Sequence, residues 1–480
     1  MRRDAMLGRL SDERFDVLVI GGGATGLGCA VDAASRGYRT ALVEAHDFAE
    51  ATSSRSTKLV HGGVRYLAQG QIGLVREALH ERTNLLRNAP AIAHERAFLT
   101  PAYRWYEAPY YYTGLRLYDA LAGGSNLGRS RRLRASQATA RSPRLRRAGL
   151  RAAIEYRDGQ FDDARLAIAL ARTAASHGAA LANYAAATAL LREGSRVAGA
   201  RVRDEERGAT FEVRATATIA AAGIFADDVR RLDDPQAPAL LAHSRGTHLC
   251  VSRDAYPGEH ALLVPKTDDG RVLFVIPWHE HVLIGTTDVA VARAELNPQP
   301  TPEEIAYLLQ TVNRYLEAPI EESAIRAAWA GLRPLVERGA RSTARESREH
   351  LVAVSASGLV TIAGGKWTTY RKMAQDAVDA AVASAGLAPA PCVTASLRLL
   401  DDPRDDLAAI VAERADLAEP LCPGFSYTKA DVVNGFRNEM ARTAQDVLAR
   451  RTRLAFLDRA AAESARATVA ELAAYCGGRP

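Results

Sequence analysis

The sequence predicts an α/β fold built on a Rossmann-type unit, joined to an antiparallel β part and closed by a helical part. Three observations carry this. Phe15 to Ile20 is a short apolar run of strand type that ends on Gly21-Gly22-Gly23-Ala24-Thr25-Gly26. Leu27 to Arg36 reads as a helix, and Arg39 to Val43 as a second strand ending at Glu44. Strand-type segments separated by polar turns crowd residues 246–288, whereas no convincing strand follows residue 390.

Each element has a physical reason. Gly21 permits the tight turn, Gly23 lets a pyrophosphate approach the backbone, and Gly26 lets the helix pack on the strand. The helix N-terminus offers N–H groups and partial positive charge to a phosphate. Glu44 stands 44 − 26 = 18 positions after the third glycine, close to the roughly 20 at which an acid meets a ribose diol. Gly73 to Asn88 and Ala164 to Ser176 read as helices; Ala200 to Val202 and Phe211 to Val213 read as short strands. Thr216 to Ala222 is a further apolar run closing on Gly223. His248 to Ser252, Ala261 to Val264, Val272 to Pro277 and Val282 to Thr286 form the antiparallel set, followed by a helix over Pro302 to Leu316. A strand over Gly358 to Ile362 leads into Gly364-Gly365-Lys366 and a helix from Thr369. In the tail, Thr428 opens a helix in capping-box style, and Asn438 to Arg451 and Leu454 to Ala473 continue as helices. Pro389, Pro391 and Pro403 mark its linker.

At 480 residues the chain has room for two to four domains, taking ~100–200 residues each. A composition 48% hydrophobic and 25% charged is ordinarily globular. Lys plus Arg exceeds Asp plus Glu by 62 − 56 = 6, which suits an anionic substrate or an anionic membrane surface. No nucleic-acid-binding motif is visible, so no nucleic-acid partner is expected. Five scattered cysteines without a C-x-x-C pair read as reduced thiols in a cytosolic setting, with no metal site; Cys29 reads as a small packing residue. Met1 to Arg14 lacks an apolar targeting core and no run of about 18 apolar residues exists, so membrane contact is expected to be peripheral. Residues 129–151 hold nine arginines and no acid, a solvated basic loop or a patch for anionic lipid headgroups.

Residues 51–67 read Ala-Thr-Ser-Ser-Arg-Ser-Thr-Lys-Leu-Val-His-Gly-Gly-Val-Arg-Tyr-Leu, a hydroxyl-rich loop suited to wrapping a polar ligand. Further strings are Phe161-Asp162-Asp163-Ala164-Arg165-Leu166, Val275-Ile276-Pro277-Trp278, Ile284-Gly285-Thr286-Thr287-Asp288, Gly331-Leu332-Arg333-Pro334 and the run from Gly364 to Lys372. With them the chain resembles the FAD-dependent glycerol-3-phosphate dehydrogenases, and Asn438 to Ala441 and Arg450 to Phe456 are similar to that family's C-terminal domain. The resemblance implies a D-amino-acid-oxidase-like flavoprotein. Its FAD-binding part would take residues 1–75, about 151–235 and 330–388, its substrate part about 76–150 and 236–329, and its helical part 390–480. It also implies oxidation of sn-glycerol 3-phosphate to dihydroxyacetone phosphate by hydride transfer to FAD, with electrons passed to a quinone. FAD contacts would fall on Gly21, Gly23, Gly26, Glu44, Thr52, Ser53, Ser54, Lys58, His61, Gly63, Gly223, Gly365 and Lys366. Where the family shows Ala-Thr-Gly-x-Trp, this chain has Ala221-Ala222-Gly223-Ile224-Phe225, and Ala24-Thr25 replaces an Ile-Asn type pair.

The residues suit that chemistry. A phosphomonoester binds best to a guanidinium cluster, for which Arg65, Arg333 and Arg345 are the candidates, with Tyr66 and Thr286 as hydroxyl donors. Loss of the substrate's hydroxyl proton calls for a base near neutrality: His248 is the first candidate, and His61, expected nearer the flavin, the second. Lys366, after a Gly-Gly turn at a helix start, can stabilise negative charge on the reduced flavin or bind a substrate oxygen. No second GxGxxG unit is present, which disfavours a nicotinamide acceptor. The expected partners are the substrate, a quinone and an anionic membrane surface, met peripherally from the cytoplasmic face of the inner membrane; a homodimer is the assembly allowed for. An oxidase using oxygen, a flavoenzyme for another hydroxy acid or amine, and an inactive flavin-binding scaffold are the alternatives.

Overall fold

The computed structural model describes residues 1–67, 70–267, 270–337 and 349–477. Its first sheet has eight strands. The central strand Arg14–Ile20 runs parallel to Thr40–Val43 on one side and to Thr210–Ala220 on the other. Ala180–Ala182 and Val360–Gly364 extend the parallel set outwards. Helices Ala24–Ser35, Asp163–Ser176 and Tyr370–Ala385 cover one face, where Leu27, Leu166 and Met373 join one core. On the other face the helix Arg3–Asp12 and an antiparallel flap of Ala185–Glu193 and Arg196–Asp204 bury Leu10, Val197 and Val202 against Phe15 and Leu18. The short strands expected at 211–213 and 216–222 are one strand, Thr210–Ala220. It is largely open to solvent at its start, where it pairs antiparallel with the flap, and buried without interruption from Ala217 to Ala220, between parallel neighbours.

The glycine turn is demanded by sterics. A Cβ on Gly26 would lie 1.8 Å from the Gly21 carbonyl oxygen, so only glycine lets the helix start this close to the strand.

The second sheet has ten strands and is mixed rather than purely antiparallel. Ala261–Val264 runs parallel to Ala93–Ala102, while the other pairs are antiparallel. Two expectations about the domain division need correction. Ala152–Phe161, grouped with the cofactor part, pairs along its whole length with Ala93–Ala102 in the second sheet. Ile325–Val336, placed across the boundary, pairs with Leu241–Ser252 in that sheet too. Sheet membership is fixed by partners far away in the chain, which strings of matching residues do not show.

The C-terminal part is helical: Arg404–Glu413, Lys429–Asn438 and Arg459–Tyr475 enclose Ile410, Leu417, Val433, Leu448 and Val469. The continuous helix expected over 438–451 is broken. Met440 adopts a positive φ of 55°, Thr443 caps a new start by accepting from the Asp446 N–H, and Val447–Arg451 closes as a π turn. Among the described residues no helix is long and apolar enough to cross a membrane.

Candidate active site

A cavity of about 460 Å³ opens where the parallel strands end. It runs from Gly21, Gly23 and the first turn of helix Ala24–Ser35, past Glu44 and the 45–57 segment, to Arg333 and Lys366. A second pocket of about 200 Å³ shares Thr57, Leu59, His61, Phe274, Arg333 and Lys366 with it. These residues are the wall between a long chamber and a small one.

The long chamber has the parts a dinucleotide needs. The Glu44 carboxylate closes its end, accepting the backbone N–H groups of Gly22 and of His46, the latter at 2.8 Å. Burial pushes this carboxyl above the usual carboxylate range, against the pull of those two bonds. Ser53 Oγ accepts the Ala24 N–H at 2.9 Å and Thr52 Oγ1 donates to the Leu332 carbonyl at 2.7 Å, so the hydroxyl loop is tied to the first helix start and to the second sheet while lining the chamber. Gly223 and Gly365, both at positive φ, line it too. A Cβ on Gly223 would meet no atom within 4 Å apart from its own chain neighbours, so there is space beside this residue. The departure at 221–225 leaves this stretch of wall to Ala221, Ala222, Ile224 and Phe225, without a hydroxyl or an indole.

The wall and its surroundings gather the titratable groups. Registry places His248 between Trp329 and Gly285 on neighbouring strands. A Cβ on Gly285 would come 2.3 Å from His248 Cδ2, so glycine makes room for the ring. The imidazole stacks on Trp329 (ring centroids 5.6 Å apart, planes 15° apart), and its Nε2 shares a hydrogen bond with Thr57 Oγ1 at 2.9 Å. Burial first, then the Lys58 and Arg333 cations, hold His248 well below its ordinary value, so it is neutral at pH 7. Arg333 donates to Thr286 Oγ1 and the Thr287 carbonyl at 3.1 Å each, with Asp288 Oδ1 3.4 Å away. Lys366 Nζ stands 3.9 Å from the Tyr66 ring centroid, a cation–π contact at the mouth of the small pocket. Tyr66, Thr286 and Gly63 line that pocket with Arg333.

Some expected residues stand elsewhere. Lys58 is corrected: its Nζ donates to both Asp163 oxygens, at 2.8 and 2.7 Å, and to the Ser54 carbonyl, fully buried and outside either chamber. Ser54 is likewise buried behind the loop, and Gly26 serves helix packing without lining the chamber. Arg65 falls in the short helix Val64–Leu67, with its side chain outside the described residues, as is all of Arg345. Arg55 and Thr57, within the hydroxyl-rich loop, line the chambers, and Arg271 and Asp288 line the small pocket without having been singled out by the sequence. Arg271 reaches Asp288 through Nη1 at 3.0 Å, so one carboxylate orients two guanidiniums, those of Arg271 and Arg333.

Fold and site together define a dinucleotide-binding oxidoreductase with a cationic pocket against its cofactor chamber. The family model "FAD dependent oxidoreductase" matches residues 16–371, and "C-terminal domain of alpha-glycerophosphate oxidase" matches 402–477. The mitochondrial glycerol-3-phosphate dehydrogenase of Mesocricetus auratus is 43% identical over 522 residues, covering 98% of this chain and 72% of that protein. The Homo sapiens one is 42% identical with the same coverage, and the Arabidopsis thaliana one 38% identical over 98% of this chain and 84% of that protein. The crystal structure of the glycerol-3-phosphate dehydrogenase from Bacillus halodurans complexed with FAD aligns with a TM-score of 0.78 at 28% identity, covering 99% of this chain and 93% of that one. The chain belongs to the FAD-dependent glycerol-3-phosphate dehydrogenase family, and its cofactor is FAD.

Proposed function

We propose that this protein oxidises sn-glycerol 3-phosphate to dihydroxyacetone phosphate and passes the electrons to a quinone. The observation that carries this is the shared wall, where a guanidinium and an ammonium border both the cofactor chamber and a phosphate-sized pocket, and a neutral histidine lining the chamber hydrogen-bonds Thr57 of that wall. Gly21, Gly23, Glu44, Thr52, Ser53, Gly223 and Gly365 would hold FAD along the long chamber, and the bound flavin would supply the hydride acceptor. Arg333, oriented by Asp288 and Thr286, binds the phosphate dianion, with Tyr66 beside it; Arg65 and Arg345 complete the set proposed for this anion. His248, neutral and steadied by Thr57, takes the hydroxyl proton through a ring nitrogen. Lys366, in the wall, stabilises negative charge that develops during the reaction, and His61 lines the same wall. The division of labour proposed is FAD on the eight-stranded sheet and substrate on the ten-stranded one.

Trp105, just before the helix Glu107–Ala122, and Tyr110, within it, are 77% and 65% exposed, and that helix packs near the arginine-bearing strand Arg131–Arg134. Exposed aromatics next to arginines support peripheral contact with an anionic membrane, proposed to be the cytoplasmic face of the inner membrane, where a quinone is at hand. A homodimer belongs to the same reading, and light scattering reads it out.

The test is anaerobic addition of glycerol 3-phosphate to the yellow protein. Bleaching of the flavin band, reversed by a quinone analogue, is the expected result. Stoichiometric peroxide in air, with no gain from quinone, makes the protein an oxidase instead. A band that never bleaches makes it a scaffold.

A further inference from the structure

The string from Arg450 to Phe456 plays no part in the chemistry above, yet it is buried directly behind the site. Arg450 and Arg451, consecutive in the π turn, both donate to Asp47. Asp47 belongs to the 45–51 segment that lines the cofactor chamber. A π turn inside a helical stretch is itself a feature that gathers at functional positions.

Arg453, fully buried, sends Nη2 to the Ser54 carbonyl at 2.9 Å and to Asp163 Oδ1 at 3.1 Å, and Nη1 to the Ala449 carbonyl at 2.7 Å. Asp163 also accepts from the Ser56 N–H at 2.9 Å and the Ser56 hydroxyl at 2.7 Å, so it ties the 52–57 loop to the C-terminal part. Phe456 meets Trp329 edge-on, with centroids 4.9 Å apart and planes at 78°, and Trp329 carries the His248 stack. A continuous path of contacts therefore runs from the C-terminal helices to both loops of the chamber and to the plane of the imidazole.

Buried ion pairs are poor glue: apolar residues of similar volume often hold two parts together equally well. Three buried guanidiniums aimed at two chamber-lining segments fit a demand for fixed geometry better than a demand for adhesion. We propose that residues 450–456 are a positioning clasp for the redox site. Arg450 and Arg451 hold the 45–51 wall, Arg453 holds the 52–57 loop, and Phe456 sets the plane of His248 through Trp329. This rests on the reading of the long chamber as the FAD site and of His248 as the base.

The experiment uses the full chain loaded with FAD and the variants Arg453→Lys, Arg453→Met and Phe456→Leu. FAD dissociation and the flavin absorption spectrum are measured first, without substrate. Arg453→Met is expected to release FAD about tenfold faster and shift the flavin band, with Arg453→Lys recovering part of both. Phe456→Leu is expected to lower kcat about tenfold while KM stays within about twofold. Wild-type FAD release in Arg453→Lys and Arg453→Met, or wild-type kcat in Phe456→Leu, overturns the clasp. If Arg453→Met does not fold, Arg453→Lys and Phe456→Leu decide. If glycerol 3-phosphate fails to bleach the wild-type protein, the catalytic reading falls, and FAD release still decides the clasp.

Discussion

Two lysines look alike in the sequence and do opposite things in the fold. Lys58 closes the hydroxyl-rich loop and Lys366 follows a Gly-Gly turn, so both invite the reading of a cation beside the cofactor. Lys58 Nζ spends its donors on Asp163 and the Ser54 carbonyl, fully buried, with Trp278 and Phe456 rings nearby. Burial pushes its ammonium down to about 7, against the pull of Asp163. Lys366 lies in the wall of both chambers, over the face of Tyr66. The difference is one of place: Lys58 is enclosed behind the loop, whereas Lys366 borders both chambers. Arg453 and Arg333 repeat the contrast, the first enclosed by Ser54 and Asp163, the second bordering both chambers.

The largest effect should separate the two groups through stability. Asp163→Asn leaves Lys58 and Arg453 buried without their shared carboxylate, and removing one partner of such a set costs about 3–5 kcal/mol. Urea unfolding of the FAD-loaded protein reads this directly. An unchanged midpoint would mean that Lys58 is not held as described, and the contrast would collapse. Next comes Arg333→Ala. Losing charged hydrogen bonds worth about 1.5–3 kcal/mol should raise KM for glycerol 3-phosphate about tenfold to a hundredfold. Flavin content and unfolding midpoint should stay at wild-type values. Loss of flavin would move Arg333 to the cofactor's side of the wall.

How much of this was legible follows from how local each constraint is. The Gly21-to-Glu44 unit could be read because turn, helix packing and acid all fall within one βαβ stretch. Which sheet Ala152–Phe161 joins could not be read from its own residues, because only its pairing with Ala93–Ala102 shows it. Arg271 was missed because its sequence neighbourhood is a polar turn; its tie to Asp288 exists only once the hairpin between them has folded. Lys58 was misread because a string shows which residues travel together, not which way a side chain turns. The carboxylate that claims it, Asp163, is more than a hundred residues away, with |i−j| = 105.

The smallest effect tests the wall itself. His248 is held neutral by burial, then by the Lys58 and Arg333 cations, whereas in the unfolded chain a histidine titrates near ~6.5. Below that pH the unfolded chain binds a proton that the folded protein refuses. Its stability must therefore fall as pH falls, by up to about 1.4 kcal/mol per pH unit, until the depressed folded value is reached. His248→Asn removes this contribution, so the variant should lose less stability than the wild type between pH values of about 7.5 and about 5.5. His94 and His281, also depressed by burial, remain in both proteins and cancel in the comparison. Equal acid slopes in urea unfolding would show that the ring takes up its proton freely in the fold. Neither the Lys58 scaffold nor the Arg333 guanidinium would then be setting its charge, and the enclosed and open cations would no longer meet at this residue.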